Sequence, residues 1–216
     1  MEINSMIKCI IFDCDGVLVD TEKIGNGILL SMAAEHGFKM EIEEAYRDFN
    51  GRNLKDCFRH IEEAIDKKLP ESFEADYRQK SFEAFKTQAK PMEGVLSFIE
   101  KLNIAYCVAS SGPVEKIRLN LEVAGLLDKF EGKIFSSYQI NSWKPEPGIF
   151  LHAAKEMGFA VKDCIVLEDS KAGVKAGMQG GFKVYGFANG YNNADLEEEG
   201  AVLFESYEEL SAILGL

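Results

Sequence analysis

Four short segments of the chain are almost continuously apolar, as strands buried on both faces of a parallel sheet are. They are residues 7–13 (IKCIIFD), 104–110 (IAYCVAS), 164–169 (CIVLED) and 182–188 (FKVYGFA). Between the second and third segments, apolar residues recur every three or four positions, which indicates helices that pack on a sheet. Strands alternating with helices predict an α/β fold, a Rossmann-like parallel sheet with helices on both faces.

The alternation stops between residues 21 and about 88, where the only periodic patterns are helical. Two apolar stripes at helical spacing occupy this interval: Ile24, Ile28 and Met32, then Leu54, Phe58, Ile61 and Ile65. We therefore predict an α-helical bundle, inserted after the first strand as a cap. The predicted domains are an α/β core of residues 1–16 and 90–216 and a cap of residues 17–89.

Length, composition and charge indicate which classes of protein this chain can belong to. A chain of 216 residues is long enough for one large domain, or for one domain carrying a smaller inserted one. It has no apolar tract of 18 residues, and the apolar run near its N-terminus is too short for a signal peptide. We therefore expect a cytoplasmic protein without a membrane partner. A net charge of −12 repels a phosphate backbone, so we expect no nucleic-acid partner, and a monomer is the default expectation.

The five cysteines form an odd set without a C-x-x-C motif. Cys9, Cys107 and Cys164 lie within the apolar segments, which predicts buried, reduced thiols rather than metal ligands or disulfides. Cys14 differs, because it lies between two acidic residues, and we expect its side chain to point away from them. The three histidines fall on helical patterns and form neither a zinc-binding pattern nor a Ser-His-Asp arrangement.

Polar residues collect where the predicted strands end. In an open α/β sheet the carboxyl ends of the strands form one edge, and ligands bind in the crevice outside it. The residues expected at this edge are Asp13 and Asp15 after the first strand, Ser110, Ser111 and Gly112 after the second, Lys144 in the KPEPGIF segment, and Glu168 and Asp169 after the third. Four segments would thus deliver acids, hydroxyl groups and a lysine to one place.

Each of these segments also has a purely structural interpretation. Asp-Cys-Asp-Gly can form a turn, Ser-Ser-Gly-Pro and Leu-Glu-Asp-Ser can cap helices, and a single lysine is usually on the surface. A calcium-binding loop beginning at Asp13 is excluded, because Leu18 and Ile24 occupy the positions that require glycine and glutamate. The structural interpretations would have to hold at four places at once, so the combination favours a functional site.

These residue types suit phosphoryl transfer. A carboxylate can attack phosphorus and form an aspartyl-phosphate, which divides one difficult displacement into two easier ones. Mg²⁺ prefers oxygen ligands, and Asp13, Asp169 and the carbonyl of Asp15 could supply them. Lys144 would neutralise charge on the transferred group, while Ser110 and the amides of the following helix would bind phosphate. Asp15 would protonate the leaving oxygen and then take a proton from a water molecule.

The same motifs, in the same order, resemble those of the haloacid dehalogenase superfamily. The segment DCDGVLVDTE resembles its first motif, Ser110 its second, KPEPGIF its third and LEDS its fourth, and the helical insertion resembles its α-helical cap. The resemblance implies these roles: Asp13 as nucleophile, Asp15 as general acid and base, Ser110 and Lys144 as phosphate ligands, and Asp169 as Mg²⁺ ligand with Glu168 assisting.

Within the superfamily, residues 136–158 most resemble bacterial phosphatases of 6-phosphogluconate and related sugar phosphates. Phosphoglycolate phosphatases and β-phosphoglucomutases are close relatives of these enzymes. The resemblance therefore implies Mg²⁺-dependent hydrolysis of a small phosphorylated metabolite. Dehalogenases of the superfamily lack an equivalent of Asp15 and need no metal, so that activity is not expected. For substrate binding we add Ser111, Gly112 and Arg52, the last in a tight turn suggested by Gly51.

Two other functions remain to be weighed against hydrolysis. A β-phosphoglucomutase uses the same intermediate, but the mutases resembled here carry a histidine in the first cap helix where this chain has Gly25. A signalling receiver domain also phosphorylates an aspartate with Mg²⁺, a hydroxyl residue and a lysine. Receiver domains place an acid pair after the first strand and the phosphorylated aspartate on a central strand, and they have no cap. In this chain the last acid pair, Glu168 and Asp169, instead follows Ser110 and Lys144 in sequence.

Overall fold

The computed structural model describes residues 7–50, 52 and 54–216. Its strands are β1 (Cys9–Phe12), β2 (Val19–Asp20), β3 (Lys90–Pro91), β4 (Ala105–Ser110), β5 (Ile134–Ser136), β6 (Cys164–Glu168), β7 (Lys183–Phe187) and β8 (Val202–Phe204). Its α-helices are α1 (Glu22–Ala34), α2 (Ile42–Phe49), α3 (Leu54–Ile65), α4 (Phe73–Gln88), α5 (Val95–Lys101), α6 (Val114–Val123), α7 (Leu127–Phe130), α8 (Ser137–Ile140), α9 (Gly148–Glu156), α10 (Lys171–Gln179), α11 (Asn193–Glu198) and α12 (Tyr207–Leu214).

Within the described residues, six strands form a parallel sheet in the order β5-β4-β1-β6-β7-β8. Strands β4 and β5 lie on one side of β1, and the later strands β6, β7 and β8 lie on the other side. The strand order therefore reverses at β1. Phe12, the last residue of β1, lies beside Val108 of β4 and Leu167 of β6. The three strands thus end close together at the reversal point, where the crevice of such a sheet binds ligands.

Helices cover both faces of the sheet, which confirms the predicted Rossmann-like α/β fold. Neighbouring residues of β1 point to opposite faces. Ile10 and Phe12 belong to one buried cluster, which includes residues of α5, α6 and α12, whereas Cys9 and Ile11 belong to another, which includes residues of α9 and α10. The five cysteines are buried and form no disulfide, as the sequence predicted for Cys9, Cys107 and Cys164.

Helices α1 to α4 form the predicted helical bundle and have a hydrophobic cluster of their own, which includes Leu29, Met32, Ile61 and Phe73. A two-stranded antiparallel ribbon joins the bundle to the sheet, with Asp20 of β2 beside Lys90 of β3. The residue limits proposed for the two domains remain a prediction. Gly51, which suggested a tight turn, lies outside the described residues.

Two strands of the sheet, β5 and β8, are absent from the sequence interpretation. Each has three residues and lies at an edge of the sheet. A run of three residues is too short to establish a periodicity, and pairing with β4 or β7 is what makes these segments strands. Among the described residues, no helix has the length and apolar character needed to cross a membrane.

Candidate active site

The loop after β1 carries the two acids of the first motif. The backbone N–H of Asp13 donates to the carbonyl of Leu167 (2.9 Å), which extends the β1–β6 ladder by one residue and buries the Asp13 side chain at the strand end. The chain then turns at Gly16 with φ of +75°. A side chain at Gly16 would overlap the carboxylate of Asp169, so glycine permits the first and last motifs to approach each other.

Lys144 is the buried cation at the strand ends, with 4% of its surface exposed. Its Nζ donates to Oδ1 of Asp13 (2.5 Å) and also to the carboxylate of Glu168. Burial favours a neutral lysine, but the charges of Asp13 and Glu168 outweigh it and raise the pKa of Lys144 above its usual value. Lys144 therefore carries its charge against Asp13 in the folded protein.

Glu168 holds this lysine in place. Besides Lys144, its carboxylate accepts hydrogen bonds from the backbone N–H groups of Asp169 and Ser170 and from Oγ of Ser170, each at 2.9 Å. A Cβ at Gly173, in the first turn of α10, would overlap this carboxylate. Donors therefore occupy both oxygens of Glu168, which suits an anchor for Lys144 better than a direct metal ligand.

Asp169 differs from Glu168 because its Oδ2 is buried and has no hydrogen-bond partner among the described residues. Oxygens of Asp13, Glu168 and Asp169 lie within 4.8 Å of one another. Burial, followed by the charges of Glu22, Glu168 and Asp13, raises the pKa of Asp169 well above its usual value. An unpartnered carboxylate oxygen among buried acids fits a hard divalent cation such as Mg²⁺, which would relieve the repulsion.

Asp15 lies on the other side of the loop and is fully engaged by donors. Its Oδ2 accepts from Nζ of Lys116 (2.7 Å), and its Oδ1 accepts from Oγ1 of Thr21 (2.5 Å) and from Nδ2 of Asn120 (2.9 Å). Burial opposes ionisation of Asp15, but the charge of Lys116 and the hydrogen bonds from Lys116 and Thr21 outweigh burial and lower the pKa of Asp15.

Sequence reasoning did not identify Lys116 and Asn120. The available signal was their spacing, since residues four apart lie on one face of a helix, here the one that follows the Ser110 to Gly112 loop.

The second motif forms a small loop before α6. Oγ of Ser110 accepts from the backbone N–H of Gly112 (3.1 Å), and Oγ of Ser136 donates to the carbonyl of Gly112 (2.6 Å). The hydroxyl group of Ser111 is buried without a partner among the described residues. A free hydroxyl beside the N-terminal end of a ten-residue helix is a suitable environment for a phosphate group.

These elements enclose a cavity of about 330 Å³ between the sheet edge and the helical bundle. Of the predicted site residues, it is lined by Asp13, Asp15, Arg52, Ser110, Ser111, Gly112 and Lys144. Glu168 and Asp169 do not line it: Glu168 contacts Lys144, and Asp169 faces a neighbouring cavity with Gly16.

The bundle side of the cavity is aromatic and basic. The aromatic residues Phe49, Tyr77, Phe82 and Phe85 line it together with Arg52 and Arg78. Nη2 of Arg78 donates to the hydroxyl of Tyr138 (2.9 Å) and so links α4 to α8, while Arg52 is exposed at the rim. A larger open groove between α1 and α4 contains none of the predicted site residues.

Known proteins resemble this chain over nearly its whole length. Residues 10–187 match the family described as Haloacid dehalogenase-like hydrolase. The 6-phosphogluconate phosphatase of Escherichia coli is 31% identical over 95% of this chain and 94% of its own length. The "Phosphorylated carbohydrates phosphatase" of Thermotoga maritima is 28% identical over 96% and 98%. A haloacid dehalogenase-like protein of unknown function from Agrobacterium tumefaciens superposes with a TM-score of 0.87 at 27% identity, over 97% of this chain and 98% of that one.

Proposed function

Because the chain belongs to the haloacid dehalogenase-like hydrolases and is a phosphatase of that family, we propose that it hydrolyses a small phosphorylated carbohydrate through an aspartyl-phosphate on Asp13. The observation that carries the proposal is the position of Asp13. It lies at the end of the central strand, bound to a buried lysine, at the base of a cavity covered by the helical bundle.

In the first step an oxygen of Asp13 attacks phosphorus, and the bond from phosphorus to the ester oxygen breaks. Asp15, which must carry a proton when the substrate is bound, gives that proton to the departing oxygen. In the second step Asp15 takes a proton from water as that water attacks the phosphorus, and the bond between Asp13 and phosphorus breaks to release inorganic phosphate. Lys144, held by Glu168, stabilises the negative charge on the transferred group, and the loop of Ser110 to Gly112 binds its oxygens.

Asp13, Asp169 and the carbonyl of Asp15 are the groups that would hold Mg²⁺. When bound, Mg²⁺ neutralises charge on the phosphoryl oxygens. The unpartnered Oδ2 of Asp169 supports this assignment, because an uncompensated buried carboxylate is costly and a cation removes the cost. Both oxygens of Glu168 already accept hydrogen bonds from described residues, so Glu168 assists through Lys144.

The cavity also supports the substrate class. Its catalytic end is polar and ionic, and its bundle end combines aromatic rings with Arg52 and Arg78. Arginine beside a sugar acid could donate two hydrogen bonds to the carboxylate, and aromatic rings pack against the carbon-bound hydrogens of a sugar. We therefore propose a phosphorylated sugar or sugar acid as the substrate. Neither the mutase nor the receiver-domain alternative is favoured.

A matched pair of substrates tests this proposal. 6-Phosphogluconate and sorbitol 6-phosphate have the same carbon chain and differ in whether the far end carries a carboxylate or an alcohol. We expect turnover of both, with higher kcat/KM for the acid, and a phosphoryl group on Asp13 in peptide mass spectra after acid quench.

Arg52→Ala should remove most of the preference for the acid. Arg47→Ala is the control, because Arg47 is also exposed in the bundle but does not line the cavity. Failure to hydrolyse any phosphorylated carbohydrate would refute the proposed substrate class. Equal kcat/KM for both substrates in the wild-type protein, or an unchanged preference in Arg52→Ala, would refute the role of Arg52.

A further inference from the structure

The three donors around Asp15 leave very little of its carboxylate free. An ionised carboxylate has about four lone-pair positions. Thr21 and Asn120 occupy the two positions on Oδ1, and Lys116 occupies one of the two on Oδ2. A proton moving to or from Asp15 can therefore pass only through the remaining position on Oδ2. That oxygen is the one bound to the Lys116 ammonium group.

Two features fix the position of Lys116. It lies one turn before Asn120 on α6, the helix that begins directly after the Ser110 to Gly112 loop, so one helix face presents both donors to Asp15. Its Nζ also lies 5.3 Å from the ring centroid of Phe85, in α4 of the bundle, a cation–π distance. Lys116 thus contacts the loop after β1 from the core and an aromatic ring from the bundle.

We propose that Lys116 is a positioning residue for Asp15: it orients Oδ2 toward the scissile ester oxygen without itself binding the substrate. This inference rests on the proposed function of Asp15 as the acid and base of hydrolysis. Asn120 supports the arrangement, since its amide is completely buried and donates to Asp15, while its own oxygen has no partner among the described residues. The hydrogen bond to Asp15 is therefore what fixes the orientation of the Asn120 amide.

Lys116→Met tests the proposal, because methionine keeps the apolar part of the side chain and removes the donor. We expect kcat on an alkyl phosphate such as a sugar 6-phosphate to fall on the order of 10- to 100-fold, with KM within about twofold of wild type. The loss in kcat/KM should be several-fold smaller for 4-nitrophenyl phosphate, whose leaving group needs little protonation. Arg118→Met, on the same helix and outside the cavity, is the control and should match wild type.

A double-mutant cycle separates positioning from other roles. If Lys116 acts through Asp15, adding Lys116→Met to Asp15→Asn should cause no further loss, because the group being positioned is already gone. Lys116→Arg should recover part of the activity, since arginine keeps a charged donor. If Lys116→Met does not fold, as judged by circular dichroism, Lys116→Gln takes its place in every comparison.

The outcomes distinguish this inference from the function on which it rests. An increase in KM with little change in kcat would make Lys116 a substrate ligand and overturn the proposal. Equal losses for alkyl and nitrophenyl substrates, or additive losses in the double mutant, would also overturn it. A wild-type protein that hydrolyses no phosphate ester would instead refute the proposed function.

Discussion

Lys144→Met should destabilise the protein as well as inactivate it. Lys144 is buried between Asp13 and Glu168, and the oxygens of these acids and of Asp169 lie within 4.8 Å of one another. Methionine preserves much of the contact of the side chain with the ring of Phe150, which lies 5.1 Å from Nζ. The substitution therefore removes the charge while changing little of the packing.

The expected magnitude follows from the loss of a buried cation between carboxylates. Removing one partner of a buried ion pair costs about 3–5 kcal/mol, because the other partner stays buried and uncompensated. Each kcal/mol shifts Tm by about 2–4 °C in a chain of this size, so we expect Tm to fall by about 6–20 °C in EDTA. Lys171→Met is the matched control: Lys171 pairs with Asp195 and Glu198, but 41% of its side chain is exposed. An exposed pair contributes about 0–1 kcal/mol, so its Tm should fall by less than about 4 °C.

Thermal unfolding followed by circular dichroism measures both variants, with and without Mg²⁺. Mg²⁺ should raise the Tm of Lys144→Met more than that of wild type, because the variant leaves more uncompensated negative charge in the site. Activity should stay lost in Mg²⁺, since the proposed mechanism also requires the lysine beside the phosphoryl group. A Tm equal to wild type in EDTA would show that Lys144 does not compensate the buried acids, and the reasoning would fail.

The pH dependence of stability provides a second check on the same residues. Burial raises the pKa of Asp13 to about 7 and that of Glu22 to about 8. Between about pH 4 and pH 8 the folded protein therefore binds more protons at these groups than the unfolded chain does, and their contribution to stability falls as pH rises. The charge of Lys144 lowers the pKa of Asp13 and so opposes the effect of burial. The loss of stability caused by Lys144→Met should therefore be smaller at pH 5, where Asp13 is protonated, than at pH 8.

Three further predictions concern catalysis. Asp13→Asn should still fold, because Lys144 keeps its contact with Glu168, and should lose nearly all turnover, because an amide is a poor nucleophile; turnover comparable to wild type would contradict a covalent intermediate. Activity should require Mg²⁺ and fall when Ca²⁺ replaces it, because the larger ion has a looser coordination shell, and full activity in excess chelator would contradict this. With β-glucose 1-phosphate and Mg²⁺, inorganic phosphate should form faster than glucose 6-phosphate, with or without glucose 1,6-bisphosphate. Gly25 brings no proton-carrying side chain to the cavity, and the reverse order of products would indicate a mutase.

The alternation of apolar runs and helical stripes was enough to predict the α/β fold and the inserted helical bundle. A strand buried on both faces, such as Cys9–Phe12, must be apolar at every position, and this requirement is visible without coordinates. The acids and hydroxyl groups at the strand ends were also visible in the sequence, because Asp13 directly follows an apolar run and Ser110 is the last residue of another. The roles of these residues remain predictions.

Only the tertiary structure decided which donor meets which acid. Lys116 lies 101 positions from Asp15 along the chain, and its contact with Asp15 depends on the angle at which α6 leaves the end of β4. Glu168 accepts hydrogen bonds from four donors, whereas Oδ2 of Asp169 has no partner among the residues that the structure describes, and this contrast arises from the turn at the start of α10. Local propensity does not encode such geometry, because it results from the packing of helices on the sheet, which the whole chain determines together.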